Sequence, residues 1–217
     1  MKLIRAARIA GITALAAGIY SLFVLRPFYL QSVQGLEASR LAEDSIWQWR
    51  LGGWLWLLTI FAWMILLVAL KHYYSPVHRI STMLQSGLVV VAATLQIVSV
   101  LAGMNCFGLT EVLSDGHPAE TFGIYLTLVE HFALTALGAG LLMGGGVTTW
   151  ICIDLVVLNK LPTSWMVPGA VAGVLSLLSP FLLPELRHLL IALLAYFAWC
   201  SILGLRVSLP SAYPDLE

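Results

Sequence analysis

Long apolar runs, separated by short clusters of charge, limit what this chain can become. Runs at 9–25, 51–70, 80–103, 123–158, 165–183 and 188–205 carry few ionisable residues. A helix crosses a hydrocarbon core of about 30 Å with about 20 apolar residues, and it satisfies its own backbone while doing so. Only 10% of the chain is charged and 60% is hydrophobic, whereas a soluble domain carries about 25% charged residues. There is too little polar surface for water to be the solvent. The expected fold is all-α: one polytopic transmembrane helix bundle of about six spans over 1–217.

The first run follows Lys2, Arg5 and Arg8, which resembles the basic start of a signal peptide. The stretch Ile9 to Leu25 is long for such a segment, so it reads as a retained span. An inside N-terminus puts Lys2, Arg5, Arg8, Lys71, Arg79, Lys160 and Arg206 on the cytoplasmic side, against Arg26, Arg40, Arg50 and Arg187 outside. Seven cations against four favour both termini in the cytoplasm. The outer segment 26–50 pairs Glu37 with Arg40 and Arg40 with Asp44 at helical spacing. It is expected to be a short amphipathic helix on the membrane surface. Trp47, Trp49, Trp54 and Trp56 then suit an interfacial aromatic belt, serving as anchors rather than as a ligand site.

The fourth run is too long for a simple crossing. As one helix, 123–158 would measure about 54 Å, so it must tilt, protrude into the cytoplasm, or bend at Gly144, Gly145 and Gly146.

Spans in lipid associate through close packing and interhelical hydrogen bonds, so small residues at four-residue spacing mark contacts. The fourth run has Ala136, Gly140 and Gly144 in such a row, and the fifth has Gly169, Gly173 and Ser176. A second stripe on the fourth, through Thr127, Glu130, Gly138, Gly145, Thr148 and Cys152, implies packing on two faces and a place near the bundle centre. On the third run Ser81, Gln85, Ala92, Gln96, Ser99 and Gly103 share one face. Polar groups facing lipid are costly, so this face should meet protein or a wet cavity.

Few residues could carry chemistry. Ionisable side chains within a span are functional hypotheses by default, and Glu130 with His131 is the conspicuous pair. The functional expectation is a ligand or proton site at the outer half of the bundle, with Gln96 and Ser99 as neighbours and Arg50 as counter-ion. The structural alternative is a polar pair satisfied by Gln96, Tyr125 or water. Gln96 and Glu130 should lie at similar depth, about 10 Å below the outer boundary. Asp154 is expected to form a cytoplasmic-side ion pair, with Arg79, Arg5 or Arg8 as partner. Glu185, Arg187 and His188 read as solvated charges at an outer turn.

No cofactor is predicted. Two-histidine haem ligation has only His131 and His188 to draw on, and no HxxxH or HExxH spacing occurs for a metal. Cys106, Cys152 and Cys200 fall in no metal or redox spacing. There is no GxSxG elbow, and a net charge of zero offers no field for nucleic acid.

The segments DLVVLNKLPTSWMVPGAVAGVLSLL and ARIAGITALAAGIYSLF resemble a loose group of uncharacterised bacterial six-span membrane proteins, of the domain-of-unknown-function type. The resemblance implies six spans in a bacterial inner membrane and transfers no site residue. The leading expectation is a non-enzymatic accessory, sensor or ligand- and lipid-binding component, its partners being the bilayer, a small ligand or lipid, and a membrane protein or a second copy. The alternatives are a small proton-coupled transporter using Glu130 and His131, and an intramembrane enzyme or redox protein.

Overall fold

A computed structural model describes residues 3–24, 36–74, 80–106, 119–182 and 187–205, and among these all regular structure is helical. The helices are α1 (Leu3–Phe23), α2 (Leu36–Tyr74), α3 (Ile80–Cys106), α4 (Ala119–Val157), α5 (Thr163–Leu177), α6 (Ser179–Leu182) and α7 (Arg187–Leu205). Four of them, α1 to α4, contain stretches long and apolar enough to cross a membrane. Two shorter apolar stretches follow, Thr163–Leu177 and His188–Gly204.

The helices close into a ring. In order around it, α1 packs on α2, α2 on α3, α3 on α4, α4 on α5, α5 on α7 and α7 on α1, with α2 also reaching α4 across the middle. The ring closes because α1 and α7 meet through small residues. A Cβ on Gly11 would come within 3.2 Å of Cys200 Cβ, and Gly204 lies beneath Arg8. Leu3 of α1 and Leu203 of α7 belong to one buried core with Leu66, Leu70, Val89, Ile151 and Trp199. The starts of α1, α3 and α5 and the ends of α2, α4 and α7 therefore gather at one end of the bundle.

One expectation about element boundaries changes, and one of the alternatives left open for the fourth run is removed. Residues 36–50 form no separate surface helix; they are the first turns of α2, and 25–35 lie outside the described residues. No proline intervenes between Leu36 and Tyr74, and Gly52–Gly53 costs only about 2 kcal/mol of helix propensity, at a place where Met104 of α3 packs against Gly53. Nor does α4 bend into two helices: it runs unbroken through Gly144–Gly146. Neighbouring helices hold those glycines in place, as described below. The helix stops where Asn159 adopts a left-handed conformation (φ 52°) and Lys160 N–H donates to Leu155 O at 3.0 Å. Pro162, extended at φ −62° and ψ 140°, then prevents continuation and starts α5.

The fifth run is interrupted at its far end. Pro180 has no N–H to donate to Ser176, and the chain turns at Leu178 between α5 and α6. His188 secures the following corner. Its Nε2 lies 3.0 Å from Ser179 Oγ, and because that hydroxyl donates to Leu175 O the imidazole N–H is the donor. His188 is thus half-buried and bonded, not a solvated end charge.

Candidate functional site

The polar side chains of α3 show what the bundle does with its hydrogen-bonding capacity. Gln85 Nε2 donates to Asp154 Oδ2 at 2.7 Å, Gln96 Nε2 to Gly140 O at 3.1 Å, and Ser99 Oγ to Ala133 O at 2.7 Å. All three acceptors belong to α4, so the polar face of α3 is a seam with α4. Close approach follows from the small residues opposite. A Cβ on Gly140 would come within 3.1 Å of Ala92 O and Gln96 N, and one on Gly144 within 3.1 Å of Gln96 Nε2.

The second small face of α4 meets α5. A Cβ on Gly145 would collide with Gly173 O and Leu177 N, and one on Gly173 with Gly145 O and Thr149 N. The two backbones therefore touch at a reciprocal glycine crossing, with α4 packed on both faces.

A second polar system starts from α2. Trp49 Nε1 donates to Gly103 O of α3 at 2.9 Å, Trp56 Nε1 to Ser21 Oγ of α1 at 3.1 Å, and Trp63 Nε1 to Thr148 Oγ1 of α4 at 3.2 Å. Seven-residue spacing keeps the three rings on one side of the helix. The aromatic segment thus divides: Trp47 and Trp54 are 73% and 58% exposed, as anchors in an interface are, while Trp49 and Trp56 join helices. The sequence signal for this ladder was the 49, 56, 63 spacing, and composition obscured it.

The bonds also set depth along the bundle. At the end that holds both Leu3 and Leu203, Arg8 Nε donates to Gly204 O at 2.8 Å, Gln85 meets Asp154, and Lys71 Nζ donates to Thr82 O and Ser86 Oγ. These form one polar layer through five helices. From Asp154 to Ala133 is 21 residues, about 31 Å along α4 and so close to one hydrocarbon thickness. From Gln85 to Gly103, where Trp49 is anchored, is 18 residues, about 27 Å along α3. Ala133, Gly103 and Trp49 therefore lie about one hydrocarbon thickness from the polar layer.

Glu130 and His131 lie about one turn beyond Ala133 toward the start of α4, within the apolar stretch Thr127–Val157, and both are exposed. His131 Nδ1–H donates to Thr127 O at 2.8 Å, one turn back on its own helix. Gln96 bonds at Gly140, ten residues further into the bundle than Glu130, about 15 Å away along the axis. Gln96 and Glu130 therefore differ in depth, contrary to expectation: Ser99, three residues from Gln96 toward the Glu130 end, already meets α4 at Ala133, below Glu130. Ser99 is a turn below Glu130 and is committed to Ala133 O. Arg50 is exposed beside Trp49, at the same rim but on α2. The structure thus brings Gln96 and Ser99 together on the α3–α4 seam and leaves Glu130, His131 and Arg50 on the rim above it.

Asp154 has Gln85 as its partner, Arg8 is turned to Gly204 O, and Arg79 lies outside the described residues. Among the described residues no group of three or more His, Cys, Asp or Glu could hold a metal. Comparison of the chain with protein-family models, with curated proteins and with solved structures finds no match.

Proposed function

We propose that the chain is a six-span integral protein of a bacterial inner membrane, with both termini cytoplasmic, that acts as a non-enzymatic accessory, sensor or ligand- and lipid-binding component. The observation that carries this reading is where the polar groups are placed. Those inside the bundle mostly join one helix to another, through Gln85–Asp154, Gln96–Gly140, Ser99–Ala133 and the Trp49, Trp56 and Trp63 bonds. The ionisable pair Glu130 and His131 instead stands exposed at the rim, where a partner or a lipid headgroup can reach it. A proton path through the bundle needs Gln96 and Ser99 beside Glu130, and both are committed to α4 backbone.

Six crossings are supported by length. α7, of 19 residues, reaches about 28 Å, and α5, of 15 residues, about 22 Å before the turn at Leu178 adds the four residues of α6. The Lys and Arg distribution supports the cytoplasmic placement of the termini.

Native mass spectrometry of protein extracted gently from its own membrane tests the reading. A co-purifying polypeptide or a stoichiometric lipid or small-molecule mass is expected. A bare monomer, together with substrate flux in proteoliposomes that Glu130→Gln abolishes, would replace it with the transporter.

A further inference from the structure

Hydrogen bonding among the described residues fails to close at one place in the core, and it is on α7. The Tyr196 hydroxyl and the Trp199 indole N–H are both buried with no hydrogen-bond partner. Tyr196 is 8% exposed and Trp199 0%. Three residues apart on a helix, they share a face, and their rings meet edge to face with centroids 6.1 Å apart.

What surrounds them explains why the chain itself does not satisfy them. Trp199 lies over Gly169 of α5, where a Cβ would come 2.6 Å from its Cε2 and 2.9 Å from Cys152 Sγ. From α1 the same core receives Ala6, Ala7, Ala10 and Ala14. Alanine and glycine side chains offer no acceptor, and no backbone carbonyl of a neighbouring helix meets these two donors as Gly103 O meets Trp49 or Gly140 O meets Gln96. The remaining polar neighbours are the thiols of Cys152 and Cys200, and the Cys200 thiol one turn from Tyr196 is only a weak partner for its hydroxyl. The buried Gln85 and the half-buried Gln96, Trp49, Trp56 and Trp63 each have an oxygen opposite their donor. In a segment that lipid shields from water, unsatisfied donors carry the full desolvation penalty.

We propose that Tyr196 and Trp199 form a buried binding site for one oxygen acceptor. The indole N–H can only donate, so the occupant presents a lone pair to it, which excludes a cation or a purely apolar molecule. The same chemistry comes from two sources, the ester carbonyl of a lipid or a water molecule. The site lies toward the polar layer of Arg8, Gln85 and Asp154 and does not depend on the Glu130 rim.

The test uses the full chain in nanodiscs of ester-linked phosphatidylcholine. Tyr196→Phe preserves the ring and its volume, so a bound acceptor predicts a melting temperature lowered by several degrees. An unchanged or raised melting temperature overturns the proposal, because removing an unpaired hydroxyl is neutral or stabilising. Trp199→Phe also removes volume, so it serves only to assign the Trp199 indole resonance in the ¹⁵N-labelled wild type. A downfield, hydrogen-bonded indole proton is expected, and one at the free-indole position overturns the site. Transfer to ether-linked phosphatidylcholine, which lacks carbonyls, then identifies the source. Both signatures persist if the acceptor is water and are lost if it is a lipid carbonyl.

Discussion

Gln85 and Asp154 show how a single polar contact is fixed by its surroundings. Gln85 is buried on the α3 face that meets α4, and its amide is the donor to a half-buried carboxylate. Gln85→Met keeps the side-chain volume and leaves Asp154 Oδ2 without its donor. It should cost about 1–3 kcal/mol, read as a lower melting temperature in detergent. Asp154→Asn retains an acceptor and should cost less. In a double-mutant cycle Gln85→Met with Asp154→Leu should be less harmful than the sum of the two. Strict additivity would mean that the two side chains do not interact. Gln85 was legible in the sequence as part of a polar stripe, and the structure places that stripe against protein. Its partner was not legible, because Asp154 stands among several cations near the same end and nothing in the residue order ranks an amide above them. Lys71 was missed for the same reason. A lysine at the end of an apolar run reads as a snorkelling cation, whereas Nζ is buried against Thr82 O and Ser86 Oγ.

Helix contacts rest on where glycine stands, and the glycines are not equivalent. At Gly145 and Gly173 any side chain meets backbone of the facing helix, which cannot swing aside. Gly145→Val and Gly173→Val should each separate α4 from α5 and cost several kcal/mol, the upper end of what overpacking does. Gly87, with nothing within 4 Å of a Cβ, is the control: Gly87→Ala should be neutral or stabilise by up to about 1 kcal/mol. Thermal unfolding of the three variants decides this, and equal destabilisation at Gly87 and Gly145 would contradict the packing described. The small-residue rows made these contacts visible in the sequence, down to the two packed faces of α4. The ends of the helices were less visible. The charges at Glu37, Arg40, Glu43 and Asp44 suit a surface helix as well as the first turns of a long one, and Pro180 sits in a run apolar enough to hide the break at Leu178.

Across the whole molecule, unequal helix lengths matter most. Both α2 and α4 have 39 residues, about 58 Å each, against about 30 Å of hydrocarbon. At the end that holds Asp154, α4 stops three residues later at Val157, so its surplus projects from the opposite side. The same holds for α2, which stops three residues after Lys71. Both helices run on by about 20 Å beyond Trp49 and Ala133, carrying Glu130, His131 and Arg50 near the start of that portion. The exposed stripe Ile124, Leu128 and Phe132 continues up α4 on this portion. Glu130→Gln should accordingly leave folding intact, with a melting temperature within about 1 °C of wild type, because a surface substitution away from a packed contact changes stability by under about 0.5 kcal/mol. A large loss would place Glu130 in the packed interior. Counting the run from 123 misjudges the depth of this pair from sequence, although Pro118 and Glu120 are residues typical of a helix start.

The central claim is that Glu130 lies at the rim opposite the polar layer of Arg8, Gln85 and Asp154. Single cysteines at positions 130 and 160, on a background with Cys106, Cys152 and Cys200 replaced by Ala, can be labelled with a membrane-impermeant maleimide in intact spheroplasts and in inside-out vesicles. The account predicts that Glu130→Cys reacts in spheroplasts alone and Lys160→Cys in inverted vesicles alone. Reaction of both from the same side, or no reaction of Glu130→Cys in either preparation, would contradict it.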